Sequence, residues 1–208
     1  MKVCEIFSSI QGESSLAGIP MIFVRLTGCN LRCAYCDTKY AYYEGEELSI
    51  DEILKKVRSF PFKYVEITGG EPLLQDEVHE LMNELVKTHR VLIETNGSIS
   101  IEKVNPEVKV IMDIKTPGSG MSERNYIENL RFLKETDEVK FVLTSRTDYE
   151  WAKDFIKKHE IKTSEILFSP AYGILEPKEL AKWIINDALP VRLNLQIHKY
   201  IFGDIRGA

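Results

Sequence analysis

Short apolar, β-branched runs alternate with amphipathic segments along this chain, and this alternation limits the fold more than any other feature. The predicted strands are residues 21–26, 64–68, 91–95, 108–114, 139–143, 165–168 and 192–196. Between most of them apolar residues recur at helical spacing, as they do at Val78, Leu81, Met82, Leu85 and Val86. Strands that alternate with helices form parallel sheets with right-handed crossovers, so we predict an α/β fold.

The predicted helices have recognisable starting signals. In a capping box, a serine or threonine stands three residues before a glutamate. This spacing occurs at Ser49 with Glu52 and at Thr147 with Glu150. Pro177 suits the first position of another helix. The crossover at residues 98–107 has only a weak pattern, and we predict no good helix there.

The length of 208 residues restricts the architecture further. A complete eightfold (β/α) barrel usually takes about 250 residues, which is more than this chain offers. We therefore predict an incomplete (partial) (β/α) barrel with parallel strands, built as a single domain over residues 1–208. An apolar content of 44% with 28% charged residues excludes a disordered chain.

Charge and hydropathy exclude several classes of partner. With 27 basic and 32 acidic residues, the chain lacks the basic surface of a nucleic-acid-binding protein. No uncharged run approaches the roughly 18 residues of a membrane span, and residues 1–7 contain no apolar signal segment. We expect a cytoplasmic protein, in which four cysteines would not form a disulfide framework.

Polar and glycine-rich segments follow the ends of five predicted strands. They lie at residues 27–38, 69–72, 94–97, 113–115 and 196–199. The carboxyl ends of parallel strands meet on one face, where α/β proteins bind ligands. We therefore expect these segments to form one large site.

Cys29, Cys33 and Cys36 carry the strongest chemical signal in the sequence. Three thiolates within eight residues can bind iron or zinc. Structural zinc normally needs a fourth protein ligand, and the next candidate, His79, lies in a helical stripe. An iron–sulfur cluster on three thiolates leaves one iron open to a small molecule, so we favour a cluster, with structural zinc and inert thiols as alternatives. Cys4 is expected to be a half-buried strand residue.

The cysteine spacing, with Tyr35 before the last cysteine, resembles the cluster-binding loop of the radical S-adenosylmethionine (radical SAM) superfamily. Residues 69–72, Gly-Gly-Glu-Pro, resemble the second signature of that superfamily. The resemblance implies a partial barrel of radical SAM type, a [4Fe–4S] cluster and S-adenosyl-L-methionine, with Tyr35, Gly70 and Glu71 as cofactor contacts. Paired glycines allow a close backbone approach, and Glu71 would offer negative charge to the methionine ammonium group.

A narrower resemblance covers essentially the whole chain. Residues 5–13, 23–25, 36–38 and 196–203 are similar to motifs of the 7-carboxy-7-deazaguanine synthases. Family members convert 6-carboxy-5,6,7,8-tetrahydropterin into 7-carboxy-7-deazaguanine with loss of ammonia, in 7-deazapurine (queuosine or archaeosine) biosynthesis. One departure is Ser14, where that family often has glycine.

This resemblance implies roles for single residues. The implied substrate contacts are Gln11, Gly12, Glu13, Arg25, Thr68 and His198. Further cofactor contacts are Asn96, Asp113 and Lys115, and the metal ligands are Cys29, Cys33 and Cys36, with Thr38 for Mg²⁺. Each noncysteine residue also has a structural alternative, such as a turn for Thr38. Arg25 lies on an apolar strand, where a guanidinium needs a partner, and either a substrate carboxylate or a structural salt bridge would serve.

The resemblance also implies partners. These are a small-molecule pterin substrate and a second copy in a homodimer. For the reducing partner, which the sequence does not identify, we expect a small flavodoxin or ferredoxin. A role for the carboxylate of Ala208 at the substrate is conceivable from the position of the tail.

Two other functions compete with this hypothesis. One is a different compact radical SAM enzyme, such as a glycyl-radical activase, which would not need the motifs at residues 11–13 and 196–199. The other is a non-enzymatic zinc or iron–sulfur module, which residues 69–72 disfavour.

Overall fold

A single sheet of nine strands organises the computed structural model, which describes residues 1–203 and 205–207. The strands are β1 (Lys2–Ile10), β2 (Pro20–Leu26), β3 (Glu46–Glu47), β4 (Tyr64–Gly69), β5 (Arg90–Thr95), β6 (Lys109–Asp113), β7 (Glu138–Leu143), β8 (Glu165–Pro170) and β9 (Arg192–Leu193). Their order in the sheet is β3-β1-β2-β4-β5-β6-β7-β8-β9. Strands β2 to β9 run parallel, whereas β1 is antiparallel to both of its neighbours.

The sheet is open, since β3 and β9 are its two edges across the described residues. The predicted incomplete (β/α) barrel with parallel strands is therefore confirmed. All seven predicted strands are present, but β1 and β3 were missed. The last predicted strand, residues 192–196, was too long, because β9 ends at Leu193 and a helix follows from Ile197.

Within the described residues, five α-helices connect or flank the strands. They are α1 (Ile50–Arg58), α2 (Val78–Leu85), α3 (Arg146–Lys158), α4 (Pro177–Asn186) and α5 (Ile197–Phe202). The apolar stripe of α2 is fully buried and packs with the strands in one hydrophobic core. No α-helix forms at residues 98–107, as predicted. Over the described ranges, no helix combines the length and apolar character that a membrane crossing requires.

One of the two predicted capping boxes is present in the structure. Ser49 and Glu52 form the predicted capping box at the start of α1. The start predicted at Thr147 was wrong, because Ser145 is the N-cap of α3 and its side chain accepts a hydrogen bond from the Asp148 amide. Serine suits that position as well as threonine does, so the sequence offered two starts two residues apart. Ala208 lies outside the described residues.

Candidate active site

A cavity of about 440 Å³ opens at the carboxyl ends of the parallel strands. Every predicted site residue except Glu71 lines it. Two parts of its wall differ in chemistry. The cluster side consists of Cys29, Cys33, Cys36 and the loop at Gly70, and the charged side consists of Glu13, Glu66, Glu94, Lys140 and His198.

The cluster loop begins where β2 ends. Gly28 has φ +102°, which turns the chain, and its amide donates to the Ala41 carbonyl at 2.8 Å. The thiol of Cys29 accepts hydrogen bonds from the Leu31 amide at 3.4 Å and from Asn96 Nδ2 at 3.8 Å. Burial raises the pKa of Cys29 and of Cys33. A bound iron would reverse that effect, since a metal favours the thiolate.

The three thiols fit a cluster better than a single ion. All three are free and lie on the wall of the same cavity. In the part of the chain that the structure describes, no three side chains of His, Cys, Asp or Glu are grouped to hold one metal ion. A polynuclear cluster, in contrast, takes one thiolate at each of several separate irons.

Gly70 packs directly against the cluster loop. A methyl group at Gly70 would lie 2.3 Å from the Gly28 carbonyl oxygen and 2.6 Å from Cys29 Cβ. The Glu71 amide donates to the same Gly28 oxygen at 2.8 Å. The glycine is therefore required for this close approach to the cluster loop, whereas the predicted approach of the same backbone to a ligand stays a prediction.

Glu71 points away from the cavity. Its carboxylate is fully buried and accepts hydrogen bonds from the Leu73 amide, the Thr95 hydroxyl and the Asn96 amide, at 2.6–3.0 Å. Burial raises the pKa of Glu71 to about 7, against the effect of these donors. Glu71 thus joins the loops after β4 and β5 through hydrogen bonds. Its predicted contact with the methionine ammonium group stays a prediction.

The predicted cofactor contacts lie beside the thiols. The Tyr35 hydroxyl is buried on the cavity and has no hydrogen-bond partner among residues 1–203 and 205–207. An unpaired buried hydroxyl is costly, so a bound ligand is its natural partner. Lys115 forms a 2.6 Å ion pair with Asp113, while Asn96 Nδ2 donates to Asn30 Oδ1 at 3.0 Å.

Lys140 is the centre of the charged side. Its ammonium is 4% exposed and contacts Glu13 at 2.8 Å, Asp113 at 3.3 Å and Glu94. Burial alone would lower the pKa of Lys140, but the three carboxylates outweigh it and raise the pKa well above its usual range. The ammonium therefore holds together side chains from four separate segments.

Gln11 is committed to contacts within the protein. Its Nε2 donates to Glu66 Oε2, and its Oε1 accepts from the Glu13 amide at 2.8 Å. Glu66 is 2% exposed, and burial, with repulsion from Glu94, raises its pKa well above the usual range. The carboxyl group of Glu66 therefore has more capacity left for a hydrogen bond to a ligand than the amide of Gln11 has.

Arg25 has the structural salt bridge that the sequence left open. Its Nε donates to Glu5 Oε1 at 2.8 Å, and the two residues are directly opposed across β1 and β2. Arg25 also lines the cavity, so this ion pair does not remove it from a ligand's reach.

The remaining predicted residues also line the cavity. Thr38 Oγ1 donates to Asp37 Oδ1 at 2.9 Å, and Thr68 Oγ1 donates to Glu94 Oε2 at 3.3 Å. His198 packs on Gly12, where a methyl group would lie 1.7 Å from His198 Nδ1. Burial lowers the pKa of His198.

Known proteins resemble this chain over its full length. A family model described as the radical SAM superfamily matches residues 23–114. The 7-carboxy-7-deazaguanine synthase of Chlorobaculum tepidum is 48% identical over 213 residues, which cover 100% of this chain and 97% of that protein. The synthase of Thermoplasma acidophilum is 40% identical and is covered, like this chain, over 100% of its length.

The chain belongs to the 7-carboxy-7-deazaguanine synthase family. As a radical SAM family, it uses a [4Fe–4S] cluster and S-adenosylmethionine. The two competing hypotheses, a glycyl-radical activase and a zinc module, are thereby set aside.

Solved structures agree with the fold of this synthase family member. The crystal structure of QueE from Escherichia coli has a TM-score of 0.76 at 24% identity and covers 93% of this chain and 92% of that one. Streptococcus suis SuiB bound to its precursor peptide has a TM-score of 0.57 at 15% identity and covers 83% and 47%. At these identities the likeness establishes the architecture alone.

One departure from the synthase family motif has a structural explanation. Ser14 has φ +61°, in the left-handed region that favours glycine, the residue often found there in the family. Its Oγ accepts a hydrogen bond from the Leu16 amide at 3.0 Å, which maintains the turn. The serine therefore adopts the left-handed conformation with support from its own side chain.

The charged side contains residues that the sequence analysis missed. Glu66, Glu94 and Lys140 stand within predicted apolar strands, where a charge needs a partner. The argument applied to Arg25 could have been applied to them as well. Their common orientation into the cavity was the available signal, since alternate strand residues share one face.

Proposed function

We propose that this chain converts 6-carboxy-5,6,7,8-tetrahydropterin into 7-carboxy-7-deazaguanine with loss of ammonia, a step toward the 7-deazapurine nucleosides queuosine or archaeosine. The observation that carries the proposal is a single cavity with three free thiols on one side and a dense set of charged groups on the other. The family membership gives this arrangement its reaction.

The cluster side would hold the iron–sulfur cofactor. Cys29, Cys33 and Cys36 supply three thiolates, and Gly70 lets the loop after β4 pack against the backbone that carries them. When bound, a reduced [4Fe–4S] cluster with S-adenosylmethionine supplies the radical that abstracts a substrate hydrogen. Tyr35 offers its buried hydroxyl, and Asn96 and the Asp113–Lys115 pair offer further polar contacts to the cofactor.

The charged side would hold the pterin. Arg25 suits the substrate carboxylate, because a guanidinium can pair with a carboxylate through two hydrogen bonds. Glu13 and Glu66 are suited to the N–H donors of the pterin ring, while Thr68 and His198 complete the wall. Gln11 and Gly12 act by shaping this wall, since the Gln11 amide is already paired and Gly12 leaves room for His198.

We also propose that Thr38 contributes to a Mg²⁺ site. Its hydroxyl lies on the cavity beside the Asp37 carboxylate, and Mg²⁺ prefers oxygen ligands and often shares them with the substrate. Turnover should fall after thorough chelation and recover with Mg²⁺. An unchanged rate would remove Thr38 from this role.

A homodimer and a reducing partner belong to the same proposal. Six exposed apolar side chains support a docking surface near the C-terminus: Tyr172, Ile174, Tyr200, Ile201, Phe202 and Ile205. We propose that a second copy of this single-domain protein covers them. Light scattering on wild type and Ile201→Asp tests this, and a monomeric wild type would contradict it. We also propose that the protein is cytoplasmic, since the cytoplasm keeps free cysteines such as these four reduced. A flavodoxin or ferredoxin would reduce the cluster.

The decisive experiment is anaerobic reconstitution followed by incubation with S-adenosylmethionine, reductant, Mg²⁺ and the carboxytetrahydropterin. We expect 7-carboxy-7-deazaguanine and ammonia in equal amounts. An intact cluster that cleaves S-adenosylmethionine but gives no such product would overturn the proposed substrate.

A further inference from the structure

The short helix α5 is fastened to two separate parts of the cavity wall. Its first amide, at Ile197, donates to the Gly12 carbonyl at 2.8 Å. Two residues later, Lys199 Nζ forms an ion pair with Asp37 Oδ2 at 2.6 Å. Asp37 directly follows Cys36, so α5 connects the substrate-side loop to the cluster loop.

In the ion pair with Asp37, the Lys199 side chain is shielded from solvent. Lys199 is 7% exposed and lines the cavity, and Gln196 Nε2 reaches the same Asp37 oxygen at 3.4 Å. The Lys199 ammonium and the Asp37 carboxylate, 2.6 Å apart, form a charge-assisted hydrogen bond, which is stronger than a neutral one.

The residue between these anchors is His198. Its ring lies against Gly12 so closely that a methyl group there would overlap it. The position of this ring on the cavity is therefore fixed by the docking of α5 on both sides. Gln196 reinforces the docking, because its Nε2 also donates to Glu13 Oε1 at 2.9 Å.

We propose that Lys199 is a positioning residue that docks α5, and with it His198, on the cluster loop, so that the substrate wall is complete only when that loop is ordered. The inference rests on the proposed function for its substrate. It assigns the Asp37–Lys199 ion pair a coupling role between the two sides of the cavity, beyond any contact of Lys199 with a ligand.

The first test separates positioning from general stability. Lys199→Met removes the charge but retains a long side chain near the Tyr172 ring, whereas Lys199→Arg keeps the charge. For Lys199→Met we expect KM for the pterin to rise about tenfold or more while kcat changes by less than about threefold, since an ordered contact is lost from substrate binding. Lys199→Arg should recover most of the loss.

A matched control is Lys182→Met on α4, which breaks an exposed ion pair with Glu179 and should leave KM unchanged. An unchanged KM in Lys199→Met would overturn the positioning role. So would a failure of Lys199→Arg to recover binding.

The second test needs no substrate and therefore stands apart from the proposed function. Hydrogen exchange of the α5 amides is compared in wild-type protein with and without its cluster. We expect faster exchange after cluster removal in wild type, and equally fast exchange in both states of Lys199→Met. If the α5 amides of the wild type exchange at the same rate with and without the cluster, the coupling is overturned. If their exchange depends on the cluster but the wild type makes no product from the pterin, only the proposed substrate is overturned.

Discussion

The cluster side and the charged side of the cavity are built in opposite ways. The three cysteines of the cluster side come from eight consecutive residues, and Gly70 packs on the backbone just before them. On the charged side, Lys140 meets Glu13, which is 127 positions away along the chain, and Glu94, which is 46 away. One side is therefore local and backbone-determined, while the other exists only once the sheet has formed.

This difference predicts different responses to mutation. A local loop that holds a cofactor should fail in cofactor binding while the sheet stays folded. A network that crosses several strands should fail in stability, because each charge depends on partners that are distant along the chain and meet only in the folded sheet. The following substitutions test that contrast.

The largest effect is expected from Cys33→Ala. It removes one of three thiolates, so we expect cluster content and product formation to fall to background while the fold is retained. Iron and sulfide analysis, product chromatography and circular dichroism measure this. Cys4→Ala is the matched control, since Cys4 is a half-buried residue of β1 and should be dispensable. Full activity in Cys33→Ala would contradict the assignment of the cluster side.

On the charged side, Lys140→Met should lower the free energy of unfolding by about 3–5 kcal/mol, because it leaves buried carboxylates without their cation. The loss should be smaller at pH 5, where the carboxylates can bind protons. Urea unfolding at the two pH values measures both effects. Lys56→Met breaks an exposed pair with Glu46 and should cost at most about 1 kcal/mol. If the two variants lost the same free energy of unfolding, the buried Lys140 network would contribute no more to stability than an exposed ion pair.

Two glycine substitutions compare the sides directly. Gly70→Ala meets backbone that cannot yield, and we expect about 1–3 kcal/mol of strain together with poor cluster retention. Gly12→Ala instead meets the side chain of His198, and we expect a raised KM for the pterin with normal cluster content. Cluster content and KM, measured on both variants, decide the matter. The contrast between the sides fails if both substitutions affect the same quantity.

The smallest effect concerns pH. Because the folded-state pKa of Glu66 is raised above its ordinary 4.5, the folded protein holds this proton more tightly. The stability that Glu66 contributes is fully present below pH 4.5. It is lost as pH rises through the folded-state pKa, and the free energy of unfolding then falls by at most about 1.4 kcal/mol per pH unit. Glu66→Gln should therefore show a shallower decline of stability at rising pH, and the exposed Glu80→Gln should not. Identical slopes for Glu66→Gln and wild type would mean that Glu66 is ionised in the fold.

The same contrast explains what could be predicted from the sequence. The parallel strands and the cysteine loop follow from local patterns, and the structure places them as expected. Strand β1 was missed because most of its residues are only half-buried, so it lacks an apolar run. Without β1, the Arg25–Glu5 pair could not be foreseen, since it is a cross-strand contact.

Residue roles were harder to predict than residue locations. Gln11 was expected to recognise the substrate; its amide is hydrogen-bonded to Glu66 and to the Glu13 backbone while it still lines the cavity, so that role stays a prediction. Glu71 was expected to contact the cofactor, but its carboxylate is buried beside the loops after β4 and β5 and does not line the cavity, so that contact stays a prediction. In both cases the deciding contacts are tertiary, and a motif does not report which side of a loop a side chain takes.

The shared ammonium of Lys140 has a consequence for how this enzyme can diversify. Because Glu13, Glu94 and Asp113 all contact the Lys140 ammonium, neutralising any of them shifts the proton affinity of the other two. Sequence drift at this network should therefore proceed through paired exchanges rather than single ones. A laboratory effort to change substrate choice would do better to randomise these four positions together than to scan them one by one.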